Sequence, residues 1–509
     1  SDGQVLTSTG SGVAFEDAAG GGPTFKEGGT NFTNSLMVGS DATGTLNGAN
    51  QNTGVGVGVF AALTSADENT VMGFDSGKAI TTSGGNSYFG WQSGKATTTG
   101  GANVAIGAGA LQANTEGASN VAVGLQALVT ATTASNNVAV GKDSGRRVTS
   151  GANNTLVGKD SAPFLTTGAD NTAVGSGALG ANTTAANNTA VGARAGIANT
   201  TGSEGVFIGY RAGRTTTTAN QNTVVGSFSL DNGAANTGIN NNIVGHASGR
   251  VITSGNHNNI MGTDAGTALT TGVHNILIGG FAAGNSITTG SNNIAMGNSA
   301  LTAATTASTN TCIGASSGAN ITGSGNTCLG NVAGTNISTG GNNLCLGFEA
   351  GNAGSPSGDL SGNSNRIVLG DDAITNALVK VDWTVTSDKR DKTDIEPLTM
   401  GLDFVNKLEP VTYRWDMRSS YSKDLSITPD GTHKKQKVIG GLLAQDVEKL
   451  EREYGYKVED ETSIITDKNT NGSYGLTYSK FIPVLINAVQ ELSIQVETLK
   501  TEVATLKGE

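Results

Sequence analysis

Large side chains are scarce in this chain, with 13 Phe, 8 Tyr and 3 Trp among 509 residues. So few cannot fill the several hydrophobic cores that this length would ordinarily imply. Charge is also thin, at 14% Asp, Glu, Lys and Arg, and the formal net charge is -11. Without a basic stripe, nucleic acid and anionic membrane are not expected as partners. No apolar run approaches the roughly 18 residues of a membrane helix, so membrane insertion is not expected. No charged-then-apolar signal segment follows Ser1, and the missing Met fits a fragment or a processed form. The chain is nonetheless too rich in β-branched residues and too poor in charge to read as disordered.

What the chain has is glycine, 76 residues of it, at a fixed period. Asn69-Thr70-Val71-Met72-Gly73 recurs as Asn103-Val104-Ala105-Ile106-Gly107 and as Asn188-Thr189-Ala190-Val191-Gly192. The closing glycine returns at Gly39, Gly56, Gly73, Gly90 and so on to Gly226, always after 17 residues. It continues with small irregularities to Gly347. Many units also carry a Thr-Thr-Gly or Thr-Ser-Gly turn, as at Thr99-Gly100 and Thr167-Gly168. Short segments between glycine turns define one coil of a β-solenoid, and the glycines exclude helices. The predicted fold class is mainly β: a β-solenoid or β-roll shaft of 17-residue coils, then a small mixed α+β domain ending in a coiled-coil helix.

Stacked coils place equivalent residues in columns about 4.8 Å apart. The asparagines are expected to bond down their column. Two adjacent apolar positions precede each glycine and point to opposite faces, so one face lines the coil and the other needs cover. Each coil buries two or three side chains worth about 1.5 to 3 kcal/mol apiece, against roughly 1.5 kcal/mol of entropy per ordered residue. A single thin coil is marginal on those terms, and an oligomer with apolar edges on a common axis is inferred.

Cys312, Cys328 and Cys345 share one column and read as small buried core residues, with reduced thiols suited to assembly in a cytoplasm. His257 and His274 stack 17 apart and read as a solvated column in preference to a metal site. The turns carry no regular Asp column, so calcium is not implied. Neither metal nor cofactor is expected. The Asn-x-Ala-Val/Ile-Gly-x-x-Ala-Gly units resemble the head repeats of trimeric adhesins and the shafts of bacteriophage tail fibres. That resemblance implies a three-fold rod.

Composition changes abruptly near Thr384: 13 Lys/Arg and 20 Asp/Glu precede it, and 17 and 21 follow. The chain is accordingly divided into an N-terminal linker or attachment segment (1–30), the repeat shaft (31–350), last strands and a junction (351–386), and a C-terminal domain (387–509). Ala377, Val379, Val381, Trp383 and Val385 alternate as a strand leading to Ser387. Beyond it, a helix near Leu398 to Leu408 stops at Pro410, a strand covers 411–415, and a buried strand at 438–444 leads into a helix at 445–452. A hairpin surrounds 467–472. The final helix carries Ile482, Val489, Val496 and Val503 at heptad position a and Leu485, Leu492, Leu499 and Leu506 at d, a coiled coil over 482–507. β-Branched a with Leu d favours two strands, but a helix joined to a three-fold body inherits its symmetry.

Three stretches, Ser387 to Lys392, Gly441 to Val447 and Tyr474 to Leu492, resemble the peptidase S74 domain, the intramolecular chaperone at the C-terminus of phage tailspikes and tail fibres. The resemblance implies a domain that trimerises, promotes folding of the upstream β-structure and cuts itself off before a serine. Carried over by position, Ser387 is the nucleophile, Lys392 its partner and Thr386-Ser387 the scissile bond. A serine needs a base, and lysine serves when desolvation or a nearby cation lowers its pKa. Lys389 and Arg390 supply positive potential, and Asp388 or Asp391 orients or opposes it. No activity on external substrates is expected.

The expected protein is thus a homotrimeric phage tail-fibre segment in the virion, assembled in the host cytoplasm. Its partners are two identical chains, an upstream tail or fibre protein and an unidentified host cell-surface receptor. The alternatives are a bacterial surface adhesin or ice-binding solenoid without proteolysis and, less favoured for want of paired carboxylates, a carbohydrate-cleaving tailspike.

Overall fold

The computed structural model describes residues 6–8, 13–15, 25–39, 43–231, 234–355, 357–380, 383–418, 421, 427–468 and 472–508. The fold is mainly β, a β-solenoid of about 18 turns of ~17 residues followed by a small α/β region with a C-terminal helix. Two compact units are distinguished, Ser1–Thr311 and Cys312–Glu509. Much of the expected attachment segment lies outside the described residues; within it Leu6–Ser8 and Val13–Phe15 pair antiparallel.

In the first unit most coils contribute a three-residue strand, lengthened in two of them to Asn259–Thr263 and Ile276–Phe281, that pairs in parallel with the equivalent strand of the next coil. Val138 faces Thr155, Ala139 faces Leu156 and Val140 faces Val157. The strand stays short because its glycine turns the chain at a φ that side chains avoid: Gly141 has φ 134, and a Cβ there would lie 2.4 Å from the Gly158 carbonyl oxygen. Alternation then assigns the faces. The middle residue, such as Ala139, Leu156 or Phe207, is fully buried, and the residue before glycine points outward.

Core volume is balanced between two positions six residues apart. Leu111, Leu128 and Leu179 adopt φ 50, 50 and 49 and fill the space left by the small Ala105, Ala122 and Ala173. A left-handed residue costs roughly 1–2 kcal/mol, and burying a leucine returns about 1.5–3 kcal/mol, so the strain is tolerated. Where the strand residue is the aromatic Tyr88 or Phe207 the partner is glycine. A Cβ on Gly94 would meet the Tyr88 ring at 2.3 Å, and one on Gly213 would meet Phe207 at 2.2 Å.

The asparagine column is buried, and its amides are bonded in three directions. Asn154 donates its backbone N–H and its Nδ2 to Asn137 Oδ1 at 2.9 and 3.0 Å, and Nδ2 also donates to the Gly168 carbonyl at 3.0 Å. Burying an unpaired amide costs about 1–3 kcal/mol, so this pattern is what permits asparagine inside. At one coil Gly205 replaces asparagine and donates its N–H to Asn188 Oδ1 at 2.9 Å, because the large Phe207 ring lies 2.7 Å from where a Cβ would stand. At the N-terminal side, the Asn52 N–H meets Ser35 Oγ at 2.9 Å in place of an asparagine. Threonines form a parallel column, Thr149 Oγ1 donating to the Thr166 carbonyl and Thr166 Oγ1 to that of Thr183.

The second unit opens with coils of the same kind. Cys312, Cys328 and Cys345 line their interior, fully buried and unpaired as disulfides. Contact with the adjacent thiol, and then burial, pushes the Cys345 thiol well above the usual range; Cys328 is raised too, chiefly by Cys312. Leu344–Leu346 pairs with Ile367–Leu369 across a longer connection. There the column ends, with the Arg366 N–H donating to Asn343 Oδ1 at 3.0 Å.

The strand expected over 377–385 is not formed among the described residues, and Val381 of that pattern lies outside them. Among the described residues no neighbouring strand bonds its backbone, and alternation alone does not hold an isolated strand. Leu378, Val379, Trp383 and Val385 are left in solvent at 95, 59, 76 and 79% exposure.

The C-terminal region packs α1 (Leu402–Lys407), α2 (Ala444–Glu453) and the start of α3 (Phe481–Lys507) around Met400, Phe404, Val447, Ile465, Phe481 and Val484. Val411–Tyr413 pairs antiparallel with Ile439–Gly441, and Thr466–Lys468 with Tyr474–Leu476. The segment expected as a buried strand at 438–444 is a half-buried three-residue strand with Val438 and Leu443 exposed. A two-stranded sheet offers too little cover to bury it. In α3, Phe481, Val484 and Ala488 face this core, whereas every a and d residue of the heptads is exposed.

Candidate functional site

Six residues, Ser387 to Lys392, fold into one tight turn. Asp388 caps a 3-10 turn at Lys389–Asp391 by accepting the Arg390 N–H at 2.9 Å. The turn closes when the Lys392 N–H donates to the Lys389 carbonyl at 3.2 Å. Chain reversal carries the Lys392 side chain back across the first residue. Its Nζ stands 2.5 Å from Ser387 Oγ and 3.4 Å from the Ser387 carbonyl oxygen.

Asp388 and Arg390 form a separate pair. The guanidinium donates Nη2 to Asp388 Oδ2 at 2.6 Å and Nε to Oδ1 at 3.1 Å. Hydrogen bonding from Arg390 holds the Asp388 carboxyl below its ordinary range, and the same bond raises Arg390. The two charges are spent on each other. All six residues are exposed in the single chain.

The entry to the domain after this turn is anchored by α3. Asn487 Nδ2 donates to the carbonyls of Leu398 and Met400 at 3.1 and 3.0 Å, and Glu491 accepts the Leu402 N–H at 2.7 Å. Sequence reasoning did not single out either residue. They stand four apart on a face of α3 distinct from the heptad seam, and that spacing was the available signal. Glu451 was missed as well. Fully buried, its carboxylate accepts the N–H groups of Ile464, Ile465 and Thr466 at 2.8, 2.7 and 3.1 Å.

Among the described residues no group of three or more His, Cys, Asp or Glu is arranged to hold a metal ion. His257 and His274 stack with ring centroids 5.0 Å apart and planes 9° from parallel, exposed on the solenoid. No described helix is long and apolar enough to cross a membrane.

A serine hydroxyl bonded to a lysine nitrogen is the elementary arrangement of a nucleophile with its base. Residues 387–457 match the Peptidase S74 family, described as chaperone of endosialidase, and the match begins at Ser387 itself. The C-terminal region therefore carries an S74 domain, of the family of self-cleaving intramolecular chaperone peptidases. No curated protein and no solved structure matches the chain. With its β-solenoid shaft, the S74 domain is consistent with a phage tail fibre or tailspike.

Proposed function

We propose that this chain is a segment of a homotrimeric phage tail fibre whose C-terminal domain holds three shafts in register and then severs itself at Thr386-Ser387. The observation that carries the reading is the 2.5 Å approach of Lys392 Nζ to Ser387 Oγ, at the residue where the family match starts. Assembly is supported by two apolar surfaces that one chain leaves uncovered. One is the outward row before each glycine, including Met72, Ile106, Ile208 and Met261; the other is the a/d seam of α3.

Neutral Lys392 takes the proton of the Ser387 hydroxyl as its oxygen attacks the Thr386 carbonyl carbon. The C–O bond forms, the Thr386 C–N bond breaks, and the proton passes to the departing Ser387 amine. Water then adds to the ester carbon and displaces Ser387 Oγ, leaving a carboxylate on Thr386 and a free amine and hydroxyl on Ser387. A lysine supplies neutral amine only where desolvation or nearby positive charge disfavours its ammonium form. Both side chains are exposed in the single chain, so that burial has to come from assembly, and cleavage follows trimer formation. The buried, unoxidised Cys312, Cys328 and Cys345 suit folding in the host cytoplasm before incorporation into the virion.

Expression of the wild type beside Ser387→Ala and Lys392→Ala tests this. The wild type is expected to separate into 1–386 and 387–509, and each variant to do so at least about 100-fold more slowly. Equal full-length bands in all three overturn the proteolysis.

A further inference from the structure

Two unfilled apolar features lie on opposite sides of the candidate cleavage bond. Upstream, Leu378, Val379, Trp383 and Val385 are in water, with Val385 two residues from Ser387. Downstream, the S74 region carries a groove of about 650 Å³ lined by Val405, Leu408, Pro410, Val411, Gly440 and Leu442. Its floor includes the sheet of Val411–Tyr413 and Ile439–Gly441, which among the described residues has only these two strands and so an outer edge on each that no further strand pairs. A Cβ added to Gly440 would meet nothing within 4 Å, so the groove is open above that residue.

We infer that the groove receives the apolar segment preceding the cleavage bond of a second copy of the chain, with Trp383 and Val385 as its anchors. The inference rests on the self-cleavage reading for its consequence and not for its evidence. Within one chain the segment stays in solvent while the groove stays empty, so the chain does not satisfy itself in this conformation. Strand addition to an exposed edge supplies backbone bonds, and alternate side chains enter the pocket beside it. Trp383 and Val385 are two apart and fall on one face of such a strand. Fixing the peptide just before the bond also limits the positions of the Thr386 carbonyl relative to Ser387 Oγ, which is what an intramolecular attack requires. Trp383 and Val385 are thus positioning residues, and the groove ties cutting to the presence of a neighbour.

The test uses the uncleavable Ser387→Ala chain with Trp91→Phe and Trp415→Phe, so that Trp383 is its only tryptophan. In the assembled protein Trp383 is expected to emit at shorter wavelength and to resist acrylamide quenching several-fold. Adding Gly440→Leu, whose Cβ meets nothing within 4 Å and whose remaining carbons occupy the groove, is expected to return it to solvent. Solvent-like Trp383 in the assembly, or protection unchanged by Gly440→Leu, overturns the inference whether or not the wild type cleaves. Protection that Gly440→Leu abolishes supports it even where Ser387→Ala leaves cleavage intact, an outcome that removes the proteolytic reading alone. In otherwise wild-type chains, Trp383→Ser and Val385→Ser are expected to slow cleavage about tenfold each without changing the mass of the assembly. Co-assembly decides whose groove is used: a Gly440→Leu chain is expected to remain uncut alone and to be cut beside a Ser387→Ala partner. If it remains uncut in the mixed assembly, the second-copy assignment is overturned.

Discussion

The shaft and the S74 region solve the burial of polar groups in opposite ways. In the shaft, one coil satisfies its asparagine through the next: Asn154 on Asn137, Asn171 on Asn154, Asn188 on Asn171. Because coils are nearly alike, an asparagine finds an equivalent acceptor in whichever coil it meets, and the bond carries no information about register. The S74 region uses contacts that occur once. Glu451 fits only the backbone of 464–466, and Asn487 and Glu491 fit only 398–402. Repetition supplies length, and unique contacts hold the S74 region in a single arrangement.

That contrast is most directly broken by removing residues 387–509 before folding. If the S74 region aligns the shafts as proposed, shafts without it are expected to form few or no discrete trimers, with misaligned or aggregated chains in their place, as measured by light scattering after size-exclusion chromatography. Trimers in wild-type yield would mean that the shaft sets its own register. A smaller effect is expected from Glu451→Gln. It replaces a charged acceptor of three buried N–H groups, and destabilisation of about 3 kcal/mol or more in the S74 region is expected by urea unfolding, with the shaft unaffected. Next, Gly213→Ala is expected to cost about 1–3 kcal/mol by overpacking Phe207, beside roughly 1–2 kcal/mol for its left-handed φ of 63, and Phe207→Val should relieve only the packing share in a double-mutant cycle. The least change is expected at Cys312, Cys328 and Cys345. Contact between thiols and burial keep Cys328 and Cys345 protonated at pH 8, below their raised pKa, and thiolate is the reacting form. The native shaft should leave a thiol reagent unconsumed for hours, and the unfolded chain should react at all 3 cysteines.

Legibility in the sequence followed the same division. The period, the parallel stacking and the asparagine column were readable because every coil restates them. Which apolar position faces inward was left open by the pattern, since Ala139 and Val140 are both apolar; the structure turns Ala139 inside. In the S74 region, α2 and the hairpin were placed close to their sequence limits, and Ser387 and Lys392 do come together. The strand over 377–385 was misjudged because alternation records what a segment is fit to pair with, not whether a partner is at hand. Glu451 and Asn487 were invisible for a related reason. A buried carboxylate and a bridging amide look like any solvent-facing polar residue until the backbone they serve is in place.

The two ends of the asparagine column differ from its middle in a way that bears on length. Each bond from one asparagine amide to the next runs toward the lower-numbered coil, so a row of them is polar, like a crystal with one face that offers acceptors and another that offers donors. Such a row has no intrinsic stopping point, and chains bearing it would add head to tail indefinitely. Ser35 takes the place of an acceptor at the first unit's start, and the Arg366 backbone occupies the last acceptor in the second unit. In each unit, then, a group from outside the asparagine row satisfies the place where the row stops, and no donor or acceptor of the row is left there to pair further.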